Sequence, residues 1–294
     1  MTKPATENSN PNSRDIDLMN SLDIVSAINN EDKKIAQAIE KVLPHIAQAV
    51  DLIVDAFNNG GRMAYFGAVT SGRIAVLDAA DCAPTFGIAP EQIQAYIAGG
   101  EASLLQTLDK VEDSAELAIG DINTFNPKTN DVVVSISASG NPQYAVSILE
   151  EARKRGAKTI AVTSNPNARF NPFADIFINP ILGQEVISGS SRMKSGTAQK
   201  MILNMLSTAT MVRLGKTYRN MMVDVSITNQ KLHNRAVGII SEIAGVDEVA
   251  AEQYLHDSGN NVKTACVMAI KKCNKTTAKE MLHAAKDILR KTIE

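Results

Sequence analysis

The sequence predicts an α/β protein: a three-layer, doubly wound parallel sheet with N-terminal helices and a small C-terminal helical module. Three observations carry this. Short apolar runs of strand length recur through the middle of the chain, longer amphipathic segments separate them, and only helical patterns remain from about residue 235 onward.

Residues 1 to about 20 come first, with MTKPATENSNPNSRDID at their head. They are polar and rich in Asn, Ser and Pro, which predicts a mobile arm unless a partner subunit pins it. From Asn30, the stretch NEDKKIAQAIEKVLPHIAQAVDLIVDAFNNGG repeats apolar residues at helical spacing. Glu31 and Asp32 stand near its start and Gly60-Gly61 at its end, and Pro44 is expected to kink it or split it in two.

The runs RMAYFGA, IQAYIAGG, DVVVSIS, KTIAVTS and DIFINP then read as strands, with segments such as YAVSILEEARKRG as crossover helices. This alternation predicts βαβ units, right-handed crossovers and helices on both faces of the sheet, with ligands bound beyond the carboxyl ends of the strands. The helix predicted after the first strand carries Asp78 and Asp81 and is expected to end at Cys82-Ala83-Pro84. A long helix follows in SGTAQKMILNMLSTATMVRLGK, whose apolar stripe belongs in the core or at a subunit interface. Short amphipathic helices close the chain in RAVGIISEIAG, DEVAAEQYLHDSG, NVKTACVMAIKKC and TTAKEMLHAAKDILRK.

Composition narrows the function. The 294 residues are enough for a large core, and a formal charge of −2 leaves no electrostatic footprint for nucleic acid or an anionic membrane. Three widely spaced cysteines provide neither a disulfide framework nor a zinc motif. No stretch approaches the roughly 18 apolar residues of a membrane span, and the N-terminus lacks a signal-peptide core, so a soluble, cytoplasmic protein is expected.

Two strand ends carry the same device. Gly67-Ala68-Val69-Thr70-Ser71-Gly72-Arg73 and Ser135-Ile136-Ser137-Ala138-Ser139-Gly140-Asn141-Pro142 each run from a strand through small and hydroxyl residues into a helix. The unpaired first N–H groups and positive end of such a helix cradle a phosphate without lysines. Neither loop matches a nucleotide-binding glycine motif, and a sugar phosphate suits hydroxyl-lined loops better. A third segment, GQEVISGSSRMKSGTAQK, adds Glu185, Ser188, Ser190, Ser191, Ser195 and Thr197 with Arg192 and Lys194, and reads either as ligand-binding or as an elaborate helix cap.

TSGR after the first strand, SxSG after a later one and GSSRMKSGTAQK before a long helix resemble the sugar isomerase (SIS) domain. VLDAADCAPTFG, IAGGE, EDSAE, SGSSRMKSGTAQKMILNMLSTATM and NMMVDVSITNQKL resemble, more closely, the N-acetylmuramic acid 6-phosphate etherases, from about Ser13 to the end. The glucokinase regulator shares part of this pattern but has two SIS domains. The resemblance implies an N-terminal region over 1–54, a SIS domain over 55–218 and a helical, UBA-like region over 219–294. It also implies a homodimer and a lyase of cell-wall sugar recycling that needs no metal or organic cofactor.

The implied reaction removes D-lactate from the 3-ether of N-acetylmuramic acid 6-phosphate, leaving N-acetylglucosamine 6-phosphate. With the ring open, a base can take the C2 proton while an acid protonates the leaving oxygen, and two carboxyls in different environments suffice. The family's two glutamates fall on Asp81 and Glu112. Phosphosugar-binding roles fall on Thr70, Ser71, Gly72, Arg73, Ser137, Ser139, Gly140, Glu185, Ser190 and Ser191, and His233 becomes a candidate for a neighbouring subunit's site.

The chain departs from the family in places. Aspartate replaces glutamate at 81, withdrawing the carboxyl by about 1 Å, which can cost on the order of 100-fold in rate. Val69 replaces a glycine, which is costly if the position needs φ > 0. Asn141 and Pro142 replace an arginine and a threonine, with Asn141 expected as the helix cap and Pro142 at its first position, while Ser137 restores a hydroxyl. Two rivals follow: a phosphosugar-binding regulator with weakened chemistry, and an aldose-ketose isomerase using Glu185 or His233. Cys82 reads as helix packing, and Asp78 as a structural hydrogen-bonding group or a like-charge neighbour of Asp81.

Overall fold

The computed structural model describes residues 7–294. The chain divides into two compact units, one comprising residues up to Ala80 together with Pro90–Ser207, the other Asp81–Ala89 with Thr208–Glu294.

In the first unit, α1 (Ser21–Glu40) starts earlier than the apolar repeat alone predicts. The side chain of Asn20 caps it, accepting from the Asp23 N–H at 3.0 Å. The split at Pro44 is as expected: α2 (Leu43–Asn58) carries that proline in its first turn, where a missing N–H costs no helix bond.

The described part of the arm is not loose. Asn10 donates to the Gln184 carbonyl at 3.2 Å and the Ser13 hydroxyl to that of Val186 at 2.7 Å, while the Ser188 hydroxyl donates to the Asn8 carbonyl at 2.9 Å. Asn12 donates to Glu31 at 3.0 Å. The arm's own polar side chains thus satisfy backbone carbonyls of this unit, which corrects the expectation of mobility; residues 1–6 lie outside the described residues. Glu31 anchors the contact through a buried ion pair with Lys194 at 2.6 Å. Burial works to raise its pKa, but hydrogen bonds from Lys194, Lys34 and Asn12 outweigh that and hold it at about 2.

The sheet is built from β1 (Met63–Gly67), β2 (Ile93–Ile97), β3 (Val132–Ile136), β4 (Lys158–Val162) and β5 (Ile176–Ile178), all within the runs read as strands. Its order is β2-β1-β3-β4-β5 with every neighbouring pair parallel. The intervening helices are α3 (Val69–Phe86), the single turn α4 (Ala102–Leu105), α5 (Ala115–Phe125), α6 (Gln143–Lys154) and, after β5, α7 (Lys194–Arg213).

Strand alternation sorts the helices onto the two faces. Ala64 and Phe66 join Ile122 and Phe125 of α5 and Tyr144 and Ile148 of α6 in one apolar cluster. Tyr65 points the other way and donates to buried Asp78 of α3 at 3.0 Å; Asp78 also accepts from Asn204 and Ser207 of α7 at 2.7 and 3.1 Å. Its three hydrogen bonds make Asp78 a structural group, the first of the two readings, and burial raises its pKa against their pull.

The predicted end of the helix at Pro84 is corrected. α3 continues through Pro84 to Phe86 and closes on Gly87, whose φ of 58° is left-handed and whose N–H reaches the Ala83 carbonyl at 2.9 Å. The proline deletes one N–H, and its own carbonyl accepts from the Ser226 N–H at 3.2 Å.

The second unit adds a two-residue antiparallel ladder the sequence did not announce, β6 (Thr217–Tyr218) with β7 (Met221–Met222), followed by α8 (Gln230–Ala244), α9 (Glu248–Ser258), α10 (Val262–Lys271), α11 (Lys275–Ala284) and α12 (Leu289–Ile293). Asn229, Asp247, Asn261 and Asn274 cap α8 to α11 in turn, each accepting a first-turn N–H. Val223, Ile240, Leu255, Cys266 and Val267 pack within this unit's core. Burial pushes the Cys266 thiol up to about 12, which rules it out as a nucleophile at neutral pH.

Candidate active site

β1 is flanked by β2 on one side and β3 on the other, so the chain's winding reverses between β1 and β3. A crevice opens at the carboxyl ends of strands at such a switch point. A cavity of about 390 Å³ lies there, lined by residues following β1 (Ala68 to Ser71) and β3 (Ser137 to Ser139).

The first loop is shaped by contact between strand end and helix start. A Cβ on Gly67 would lie 2.6 Å from the Gly72 nitrogen, and one on Gly72 would lie 2.6 Å from the Gly67 carbonyl oxygen and 2.5 Å from Ile97, so the turn closes only with both glycines. Within it Val69 has φ 50°, a left-handed conformation that a β-branched side chain adopts only under strain. The first N–H of α3 to find a helical acceptor is that of Gly72, to Ala68 at 3.4 Å. The N–H groups of Thr70 and Ser71 precede it and belong to the cavity-lining segment.

In the second loop Ser137 Oγ accepts the Gly140 N–H at 3.1 Å and Ser139 Oγ accepts the Asn141 N–H at 3.3 Å. Each hydroxyl therefore spends a lone pair on its own turn and keeps its proton to donate to a ligand. Gly140 has φ 64°, and a Cβ there would lie 2.4 Å from that of Ala168. Asn141 does not cap α6 as expected; its oxygen accepts from the Arg169 N–H at 3.2 Å, and Pro142 takes the cap position, one residue earlier than the first helical position.

Glu112 stands on a short 3-10 turn, Val111–Asp113, and its carboxyl borders the cavity. Partial burial raises its pKa and the charge of Asp113 adds to the rise. The structure therefore brings together Thr70, Ser71, Ser137, Ser139, Ser191 and Glu112. Among the described residues no Lys, Arg or His lines the cavity, which leaves hydroxyl and backbone donors there to meet a phosphate.

Other predicted residues do different work. Arg73 is not among the residues that line the cavity and clamps three carbonyls, those of Leu104 (2.9 Å), Ser103 (2.9 Å) and Gln106 (2.8 Å). Glu185 is fully buried and caps α7, accepting the N–H of Lys194 and both the N–H and hydroxyl of Ser195, each at 2.9 Å; with both oxygens spent it is a helix cap, not a ligand. Gly72 and Gly140 shape the loops, and Ser190 forms a turn, its N–H reaching the Ile187 carbonyl at 2.9 Å. His233 sits 3.2 Å from Glu252 on α9. Asp81 is exposed on α3 and belongs to the second compact unit, whereas the residues that line the cavity belong to the first.

Glu7, Thr107, Pro142 and Gly189 also line the cavity and were not singled out for it from sequence. Gly189 lies in the motif GSSRMK and could have been found there, whereas Glu7 and Thr107 stand in polar segments without periodicity.

A SIS domain family model matches residues 28–164, and a model described as the C-terminal lid domain of glucokinase regulatory protein matches residues 219–262. A protein of Actinobacillus pleuropneumoniae serotype 5b named N-acetylmuramic acid 6-phosphate etherase is 48% identical over 282 residues, covering 96% of this chain and 93% of its own length. A protein of the same name from Clostridium botulinum strain Langeland is 45% identical over 294 residues, covering 100% and 97%. Among solved structures, an E. coli CFT073 protein in complex with A5P matches 68% of this chain and 96% of its own with TM-score 0.51 and 20% identity. A phosphoheptose isomerase from Francisella tularensis matches 65% and 98% with TM-score 0.50 and 19% identity. At those identities the two structures speak for the fold alone.

Proposed function

We propose that this chain, which belongs to the N-acetylmuramic acid 6-phosphate etherase family, is a lyase that converts N-acetylmuramic acid 6-phosphate and water to N-acetylglucosamine 6-phosphate and D-lactate. The observation that carries the reading is the switch-point cavity, where two hydroxyl-lined turns and the carboxyl of Glu112 share one space.

The turns after β1 and β3 hold the 6-phosphate. Glu112, as carboxylate, removes the proton from C2 of the ring-opened sugar, and the electron pair forms the C2–C3 double bond as the C3–O bond breaks. The raised pKa of Glu112 makes it a stronger base. Asp81 gives its proton to the departing lactate oxygen, then takes one from the water that adds at C3, while Glu112 returns the proton to C2. One water is consumed and both carboxyls regain their starting states.

We assign Asp81 to the cavity of a second copy, which makes the working form a homodimer. A phosphorylated sugar substrate supports a cytoplasmic reaction, within cell-wall sugar recycling. Incubation with N-acetylmuramic acid 6-phosphate and assay for free D-lactate tests the reading: stoichiometric lactate and N-acetylglucosamine 6-phosphate are expected, and their absence at saturating substrate overturns it.

A further inference from the structure

The cavity contains a second carboxylate that the reaction above leaves unused. Glu7 lines it, delivered by the N-terminal arm. That arm is a fixed wall, since Asn8 accepts from Ser188 and the buried Asn10 and Ser13 donate to Gln184 and Val186. The polar groups next to Glu7 along the chain are thus occupied in holding the arm, while its own carboxylate has no hydrogen-bond or ion-pair partner among the described residues.

The opposite wall is shaped for this carboxylate. Gly189 has φ 77°, and a Cβ built there would lie 3.2 Å from Glu7 Oε2 and 3.6 Å from Oε1, closer to Oε2 than most side-chain contacts allow. Glycine keeps the carboxylate's place open. A carboxylate offers acceptors only, whereas the hydroxyls of Thr70, Ser71, Ser137, Ser139 and Ser191 can donate. A phosphate dianion beside Glu7 would meet like charge; hydroxyl and amide N–H groups would meet their complement.

We propose that Glu7 is a substrate-contacting residue that accepts hydrogen bonds from hydroxyl and N–H groups of the sugar, so that the N-terminal arm orients and selects the ligand. This rests on the phosphosugar reading of the cavity. The phosphate then lies at the turns after β1 and β3, and the donor-bearing face of the sugar turns toward the arm.

The test uses the full chain with Glu7→Ala and Glu7→Gln, N-acetylglucosamine 6-phosphate and inorganic phosphate as calorimetric probes, lactate release for turnover, and thermal melting. Glu7→Ala is expected to weaken N-acetylglucosamine 6-phosphate about tenfold or more, the size of a lost charge-assisted hydrogen bond, with inorganic phosphate bound as well or better and an unchanged melting temperature. Glu7→Gln, which keeps one carbonyl acceptor, should recover part of the loss. Unaltered sugar-phosphate affinity in Glu7→Ala overturns the proposal. So does an equal weakening of both probes with a lowered melting temperature, which would mean that Glu7 only holds the arm. Binding is read apart from turnover: a wild type that binds but releases no lactate removes the etherase reading while the affinity ratio still decides Glu7. A wild type that binds no sugar phosphate removes both.

Discussion

Arg73 Nε donates to the Leu104 carbonyl oxygen at 2.9 Å, tying the first turn of α3 to the end of α4, and its Nη2 adds the carbonyls of Ser103 and Gln106. The segment so tied continues directly into Thr107 and Glu112, both on the cavity wall. A residue whose motif predicts a ligand contact thus instead fixes the loop that carries Thr107 and Glu112.

Removing that clamp should damage catalysis more than binding. Arg73→Ala is expected to lower kcat by about 10- to 100-fold, the usual consequence of a base displaced by about an ångström, while phosphate affinity changes little. Arg73→Lys should not restore the rate, because a single ammonium cannot span three carbonyls as a planar fork does. Wild-type kcat in Arg73→Ala would show that the loop holds its shape unaided.

As the proposed base Glu112 must be ionised to take a proton, and burial, with the charge of Asp113, raises its pKa. The activity therefore falls as pH drops through that raised value, and the acid limb of kcat/KM should lie above the ordinary glutamate value of about 4.3. Substrate phosphate also ionises, near about pH 6, so the informative comparison is between variants. Asp113→Asn removes the neighbouring negative charge and should move the acid limb to lower pH. The movement should be modest because burial is the larger cause, and a limb that stays in place would exclude Asp113 as a contributor.

Val69 combines a left-handed φ of 50° with a side chain that lines the cavity and packs on the sheet's core. Glycine would relieve roughly 1–3 kcal/mol of strain but lose partial burial of up to about 1.5 kcal/mol and add chain entropy of about 0.5–1 kcal/mol, so the stability terms nearly cancel. The effect should appear in binding. Val69→Gly lets a phosphate approach the backbone and is expected to tighten sugar-phosphate affinity several-fold with little change in melting temperature; weaker binding in calorimetry would mean the valine itself contacts ligand.

How far the sequence was legible depends on whether a residue's role is local. The central strands β1, β3 and β4 coincide with their apolar runs because a parallel strand covered on both faces needs no alternation, and the helices that follow are legible from spacing within each segment. Val69 was legible for the same reason, since a strained φ belongs to its own turn. Arg73 and Glu185 were misplaced because guanidinium and carboxylate groups recognise backbone and ligand by the same hydrogen bonds, and only the fold reveals that carbonyls at 103–106 or N–H groups at 194–195 arrive first. Pro84 misled because the usual helix-breaking rule yields where one missing bond is tolerated and Gly87 supplies the true end. Glu7 carried no signal, since a polar arm without periodicity does not declare which wall it will meet.

The assignment of Asp81 to a second copy makes a sharp prediction. Asp81→Asn and Glu112→Gln should each abolish lactate release in pure form, because every cavity then lacks one of its two carboxyls. Mixed, unfolded and refolded together in equal amounts, half the dimers pair one copy of each variant, and each such dimer has one cavity with both carboxyls and one with neither. About a quarter of wild-type activity should therefore return, which no arrangement confined to one chain can give. Asp81→Glu, adding one methylene, should raise kcat if the aspartate's reach is limiting. If refolded mixtures stay inactive while the wild type treated alike recovers, both carboxyls belong to the same copy and the shared-site dimer is wrong.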